Sequence, residues 1–334
     1  MSMQKIVVEK NVSDTNKIKK LRTILEKSGL LEKMERLKIN ARDLVIIKPN
    51  IAPASQKNYH YYTDPSLVNE MMMILLEKGY RNTRIVESAT NFASAYDCLT
   101  PDIQASNIGY KYPVTNLSTT TTRTLTWNGM SIDLSTVMLD ARFIINFPKA
   151  KNHDLMLMTC CLKNMYGSIP NPNKYRLFHK KTSGYGIPEA AFLASYFTPP
   201  SFNIVDFIEG VDGNEVSLYR GEVKNLKYYP SGRIIAGENS VAIDKLVSLK
   251  MGYTQDASPV VEYSAIASGN FDVTRSTNLI GDDFSMMPGW RRISSLFRAK
   301  AEFQDKLPVT DKIIAQGLRM YRFDVCPIDK KEES

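Results

Sequence analysis

Cysteine is scarce in this chain and wrongly spaced for a self-contained metal or cluster motif. The four are Cys98, Cys160, Cys161 and Cys326, and no two form a Cys-x-x-Cys pair. That excludes a zinc ribbon or an intrinsic iron–sulfur cluster of ferredoxin type, and it leaves no disulfide framework, as expected in a reducing compartment. Adjacent Cys160 and Cys161 fall in an apolar stretch and read as core packing. Long hydrophobic runs are also missing: nothing approaches the roughly eighteen apolar residues that a spanning helix needs, so no membrane span is expected. Met-Ser-Met-Gln-Lys leads straight into the strand-like Ile6-Val-Val8 with no apolar leader, so the expected location is cytoplasmic. Histidine is scarce too, with three in 334 residues.

What is present supports a large globular body. Hydrophobic residues make up 43% and charged residues 23% of the chain, enough for a sizeable core. Strand and helix signals alternate from the start. Ile6–Glu9 and Asp43–Lys48 read as strands, with a helix between them over Asn16–Met34 broken at Gly29. Asp64-Pro65 caps a helix that runs through Lys78 to Gly79, and Thr83–Val86 is the next strand. Such buried βαβ runs predict an α/β fold, a mostly parallel sheet covered by helices on both faces. Thr-rich alternation around Asn128-Gly129 predicts an antiparallel hairpin insertion at about residues 112–135. Strands resume at Arg142–Phe147, Phe202–Ile208 and Arg233–Ile235, and a helix runs over Val241–Lys250 to Gly252. Trp290–Phe323 reads as a basic helical segment. The expected organisation is an α/β domain over 1–284 and a helical C-terminal extension over 285–334.

Chemistry concentrates in one window. Phe147-Pro-Lys-Ala-Lys-Asn-His153 is followed by Leu162-Lys-Asn-Met-Tyr-Gly167, then by Lys174 and His179. If the chain stays extended beyond Phe147, Lys149, Lys151 and His153 share a face, and three such groups side by side require an anion or carboxylates to compensate them. Asp154–Met165 reads as an apolar helix carrying Lys163 and Asn164 near its end, closed by Gly167 and the Pro170/Pro172 pair. Apolar surroundings lower a lysine's pKa, which makes Lys163 a candidate for chemistry.

In an open parallel sheet, ligands bind beyond the carboxyl ends of the strands. The residues that follow strands are Lys48, Pro49 and Asn50, then Glu87 and Ser88, then the Lys149–His153 run, then Glu209 and Asp212. Asp206 lies inside a strand, where a carboxylate needs a partner, and a lysine of the basic run can supply one. Asp206, Glu209 and Asp212 with His153 or His179 also make a candidate divalent-metal set, although their spacing matches no metal motif.

These segments, in this order, resemble the bacterial and archaeal proteins of domain of unknown function 362. The matching pieces are Ile47-Lys-Pro-Asn50, Tyr62-Thr-Asp-Pro65, Val86-Glu-Ser88, Asn146–His153, Leu162–Gly167, Lys174 with His179, Val205-Asp206, Ala236–Asn239 and Val241–Asp244. The resemblance implies a fold distantly similar to the N-terminal half of nickel-pincer lactate racemases. It also implies redox work, since many members carry ferredoxin-type segments whose cysteines this chain lacks. Two departures stand out: Asn239 replaces an acidic residue, and Phe207-Ile-Glu-Gly-Val-Asp-Gly-Asn214 replaces a glycine-rich stretch.

The expected function is an enzyme acting on a small anionic, carboxylate-bearing metabolite by proton or hydride transfer next to the acid group, as an isomerase, racemase or oxidoreductase. His153, Lys163, His179 and Asp206 are the catalytic candidates. Lys48, Asn50, Thr63, Glu87, Lys149, Lys151, Asn164 and Lys174 are the substrate-binding ones. His153, His179, Glu209 and Asp212 are the metal candidates. Expected partners are the anionic substrate, a redox partner or a second copy of the chain. The rival readings are a redox or maturation protein that binds a cofactor or cluster supplied by a partner, and a nucleic-acid binder. The net charge of +8 fits anionic partners in general, but the basic C-terminal segment has no aromatic platform or DNA-binding signature, which disfavours nucleic acid.

Overall fold

The computed structural model describes residues 3–51, 61–89, 100–153, 156–170, 174, 177–178, 181–212 and 227–292. Its centre is an eight-stranded sheet. The strands are β1 (Gln4–Glu9), β2 (Val45–Pro49), β3 (Thr83–Glu87), β4 (Val114–Asn116), β7 (Phe143–Phe147), β10 (Phe202–Phe207), β13 (Arg233–Gly237) and β14 (Thr277–Ile280). Their order is β14-β1-β13-β10-β7-β2-β3-β4. All neighbours run parallel except β13, which lies antiparallel between β10 and β1.

Both faces of the sheet are buried because alternate side chains of near-continuous apolar strands face opposite ways. Val45, Ile47, Ile85, Phe143, Ile145 and Ile204 pack beneath α1 (Lys17–Ser28), α2 (Leu30–Arg36), α3 (Pro65–Glu77) and α4 (Pro101–Ile108). Ile46, Val86, Ile144, Val205 and Ile235 pack against α7 (Ile187–Phe197), α8 (Ser240–Lys250) and α9 (Pro259–Ser268) on the other face. The helix ends follow the sequence signals. Gly29, at φ +79°, separates α1 from α2, and the Asp64 carboxylate accepts the Ser66 amide at the start of α3. Among the described residues no helix is long and apolar enough to cross a membrane.

Three expectations change. Val114–Asn116 is not part of the insertion but the edge strand of the main sheet, parallel to β3. The hairpin proper is β5 (Thr122–Trp127) and β6 (Met130–Ser135), joined by Asn128 and Gly129 at φ +46° and +78°. The expected helix over 154–165 is instead β9 (Leu157–Thr159), paired antiparallel with β8 (Lys151–His153), then a single turn α6 (Cys161–Asn164) and a 3-10 turn over Met165–Ser168. A short apolar run does not distinguish a buried strand from a helix. Trp290–Arg292 is not helical, because Trp290 packs edge-on against Phe207 and Tyr229 in the body of the fold. The basic stretch beyond Arg292 lies outside the described residues.

Candidate functional site

Four adjacent strands, β10-β7-β2-β3, end on the same edge, and their last residues bring opposite charges together. Lys149, just past β7, bridges to Asp206 in β10, and its amine lies 3.1 Å from both carboxylate oxygens. Asp206 also accepts the backbone amides of Asp64 (2.9 Å) and Ile208 (3.2 Å), so this fully buried carboxylate has all the donors it needs. The basic run and the strand aspartate thus compensate each other. On the neighbouring pair, Lys48 at the end of β2 meets Glu87 at the end of β3 at 2.8 Å, with both side chains buried. Glu87 also takes the amides of Ile51 and Ser88.

Around Glu87 the balance of charge fails. Besides Lys48, the amines of Lys151, Lys163 and Lys174 all sense this carboxylate, and Lys163 repels both Lys151 and Lys174. None of the three has a carboxylate partner among the described residues. Lys151 donates to the Tyr61 carbonyl at 2.9 Å, with its amine 3.2 Å from the Tyr61 ring centre. Lys174 donates to Ser88 Oγ at 2.6 Å. Lys163, half-buried, has the Tyr166 ring at 4.7 Å, and Lys174 has the same ring at 5.1 Å. Ring faces and neutral oxygens temper a buried cation but do not neutralise it. Burial, reinforced by repulsion from Lys163 and Lys149, holds Lys151 far below the usual lysine range. Burial and the Lys48 charge bring Lys163 down to about 8. Burial, partly offset by Glu87, brings Lys174 down to about 7. Near neutral pH these are amines that exchange protons readily, unlike surface lysines.

A polar scaffold fixes this pocket. Asn164, at the end of α6, donates to the Lys48 carbonyl at 3.0 Å and to Asn146 Oδ1 at 2.8 Å, and Asn146 reaches the Cys161 carbonyl. Thr63 Oγ1 bonds the Phe147 carbonyl and receives the Asn50 amide. Asn50 Oδ1 is shut off from solvent without a hydrogen-bond partner among the described residues, the state of an acceptor that a ligand's donor would satisfy.

The structure therefore gathers Lys48, Asn50, Thr63, Glu87, Lys151, Lys163, Asn164 and Lys174, and sets Lys149 with Asp206 in an adjoining ion pair. His153 ends β8, half-buried and paired across the strand with Leu157. His179 lies outside the described residues. The candidate metal set does not assemble among the described residues: Asp206 is held by Lys149, and Asp212 by Arg291 at 2.7 Å. Glu209 is pushed upward by burial. Sequence reasoning missed the rings of Tyr61 and Tyr166, which no spacing marks. It also took Gly167 only as a helix stop. A Cβ there would collide with Glu87 Oε1 and sit 2.6 Å from Lys48 Nζ, so any larger residue must push the ion pair aside.

The family model for domain of unknown function 362 matches residues 45–248, the span that holds every residue of the pocket. The chain belongs to this family. It is also similar to the thylakoid-associated protein sll1697 of Synechocystis sp. (strain ATCC 27184 / PCC 6803 / Kazusa), 26% identical over 201 residues, which are 58% of this chain and 59% of the relative. The chain thus spans under two thirds of that relative's length. The Pro148-Lys-Ala-Lys-Asn-His153 and Leu162-Lys-Asn-Met-Tyr-Gly167 pieces, both inside the matched span, supply Lys151 and Lys163 to the lysine cluster.

Proposed function

We propose that the protein is an enzyme acting on a small carboxylate-bearing metabolite by proton or hydride transfer at the carbon next to the acid group. One observation carries the reading: Lys48 pairs with Glu87, and Lys151, Lys163 and Lys174 share the influence of that same carboxylate, so among the described residues these amines outnumber the acids that could compensate them. A bound carboxylate supplies the missing negative charge. Its charge favours the protonated lysines and holds the acid group in place, and the same cations stabilise an enolate-like charge developing beside it. Lys163 and Lys174, brought down to about 8 and about 7, act as proton donor and acceptor near neutral pH. Asn50 Oδ1 accepts a hydroxyl or amino donor on the reacting carbon. These amines take over the acid/base role expected of the histidines, and the basis for proton transfer is stronger than for hydride transfer, which needs a separate acceptor.

The test is deuterium incorporation at the α-carbon of a panel of 2-hydroxy, 2-amino and 2-oxo acids in heavy water, read by NMR. The native chain should label at least one class, and Lys174→Met should slow labelling by about 10²-fold or more. A panel that neither binds nor labels would overturn the reading.

A further inference from the structure

At the start of α6 sits a second group of chemically capable side chains. Cys160, Cys161 and Asp244 are all buried, and their ligand-capable atoms lie within 4.8 Å of one another. Adjacent cysteines in an extended strand point apart. Here the chain leaves β9 and turns into α6 at Cys160, which brings the two sulfurs to 4.0 Å on one side. Asp244, from α8, accepts the amides of Cys161 (2.8 Å) and Leu162 (3.0 Å).

We propose that Cys160, Cys161 and Asp244 form a binding site for a thiophilic divalent cation of the zinc type. Two observations carry it independently. The first is spacing: sulfurs bound at about 2.3 Å around a tetrahedral ion stand about 3.8 Å apart, so the pair needs almost no movement. The second is a third, anionic donor beside the sulfurs. Asp244 is a buried carboxylate with no cationic partner among the described residues, whereas buried Asp206 and Glu87 each have a lysine. In the metal-free chain the Cys160 thiol points at the Cys161 sulfur, and both sulfurs lie beside that carboxylate. A divalent ion replaces the two thiol protons, which pass to solvent, while two sulfur–metal bonds and one oxygen–metal bond form. The net charge of the buried group is unchanged and no electron moves. Two sulfurs and one oxygen favour zinc or cadmium over magnesium or calcium. The ion would fasten the start of α6 to α8, and α6 carries Lys163 and Asn164 into the lysine pocket. The site does not depend on the proposed activity.

The experiment is a cadmium titration of the full-length chain, metal-stripped and reduced, with Cys98→Ser and Cys326→Ser so that only the pair can answer. The expected result is one Cd²⁺ per chain, an ultraviolet thiolate-to-cadmium charge-transfer band with the intensity of two thiolates, displacement by zinc and release of two protons. Asp244→Asn should weaken binding by about 10-fold or more, since even outer partners of metal ligands are worth that much. Absence of the band, a one-thiolate band, or unchanged affinity in a folded Asp244→Asn variant would overturn the proposal. If Asp244→Asn does not fold, the titration of the chain with Asp244 intact decides alone.

Discussion

Two lysines in one sequence window meet opposite fates, and their contrast separates structure from function. Lys149 neutralises buried Asp206, so Lys149→Ala leaves that carboxylate uncompensated and should cost about 3–5 kcal/mol of stability. Among the described residues Lys163 has no counter-ion to abandon. Lys163→Met should leave stability equal or higher while removing anion binding, and urea unfolding of both variants checks the pair. Equal losses would mean that Lys163 is compensated as Lys149 is. Gly167→Ala should act between these extremes, since its Cβ would collide with Glu87 Oε1. A loss of about 1–3 kcal/mol is expected, as for overpacking, accompanied by weaker anion binding through the disturbed Lys48–Glu87 pair. That Asp206 pairs with a lysine of the basic run was legible in the sequence, because a carboxylate inside a strand demands a partner; that the lysine is Lys149 was not. The pairing of Lys48 with Glu87 was not, because only the order of strands across the sheet makes β2 and β3 neighbours.

At the scale of elements, local signals were sufficient wherever backbone geometry alone decides the outcome. Gly29, Asp64-Pro65 and Asn128-Gly129 each marked a boundary that the fold keeps. Gly129 sits at φ +78° with nothing within 4 Å of a Cβ placed there, so Gly129→Ala should cost about 1 kcal/mol through backbone strain alone. Chemical denaturation should show that loss with anion binding unchanged, since a Cβ at Gly129 meets no neighbouring atom within 4 Å. The stretch from Met156 to Met165 was misread because its apolar residues satisfy a strand and a helix alike. Tertiary contacts resolve it: β8 pairs with β9, and Asp244 holds the first amides of α6. That correction moves Lys163 and Asn164 from a long helix to a one-turn element, and Asn164 then clamps the end of β2.

For the whole molecule, the sequence rule that polar residues collect after parallel strands anticipated the charged cluster, because β10, β7, β2 and β3 end on one edge. It did not reveal how unequal the charges there are, since that depends on which acids find partners. The inequality has a pH signature. Lys163 and Lys174 titrate at about 8 and about 7 in the folded chain, against 10.5 for an ordinary lysine. The unfolded chain therefore binds more protons between those values and 10.5, and stability contributed by these groups rises with pH across that window. Unfolding free energies measured from neutral to alkaline pH should rise less steeply in a Lys163→Met, Lys174→Met double variant. Anion affinity should show the opposite trend, falling as pH rises through about 7 and then about 8, because the neutral amines no longer attract the ligand.

Those trends meet in one calorimetric measurement. A carboxylate that enters the pocket favours the protonated lysines, so binding near pH 8 must draw protons from the buffer. Titrating the native chain with the panel's tightest carboxylate in buffers of different ionisation enthalpy should show proton uptake on binding, and Lys163→Met and Lys174→Met should each reduce it. Binding without proton uptake, or uptake unchanged in both variants, would contradict the account of an uncompensated lysine pocket as the site of function.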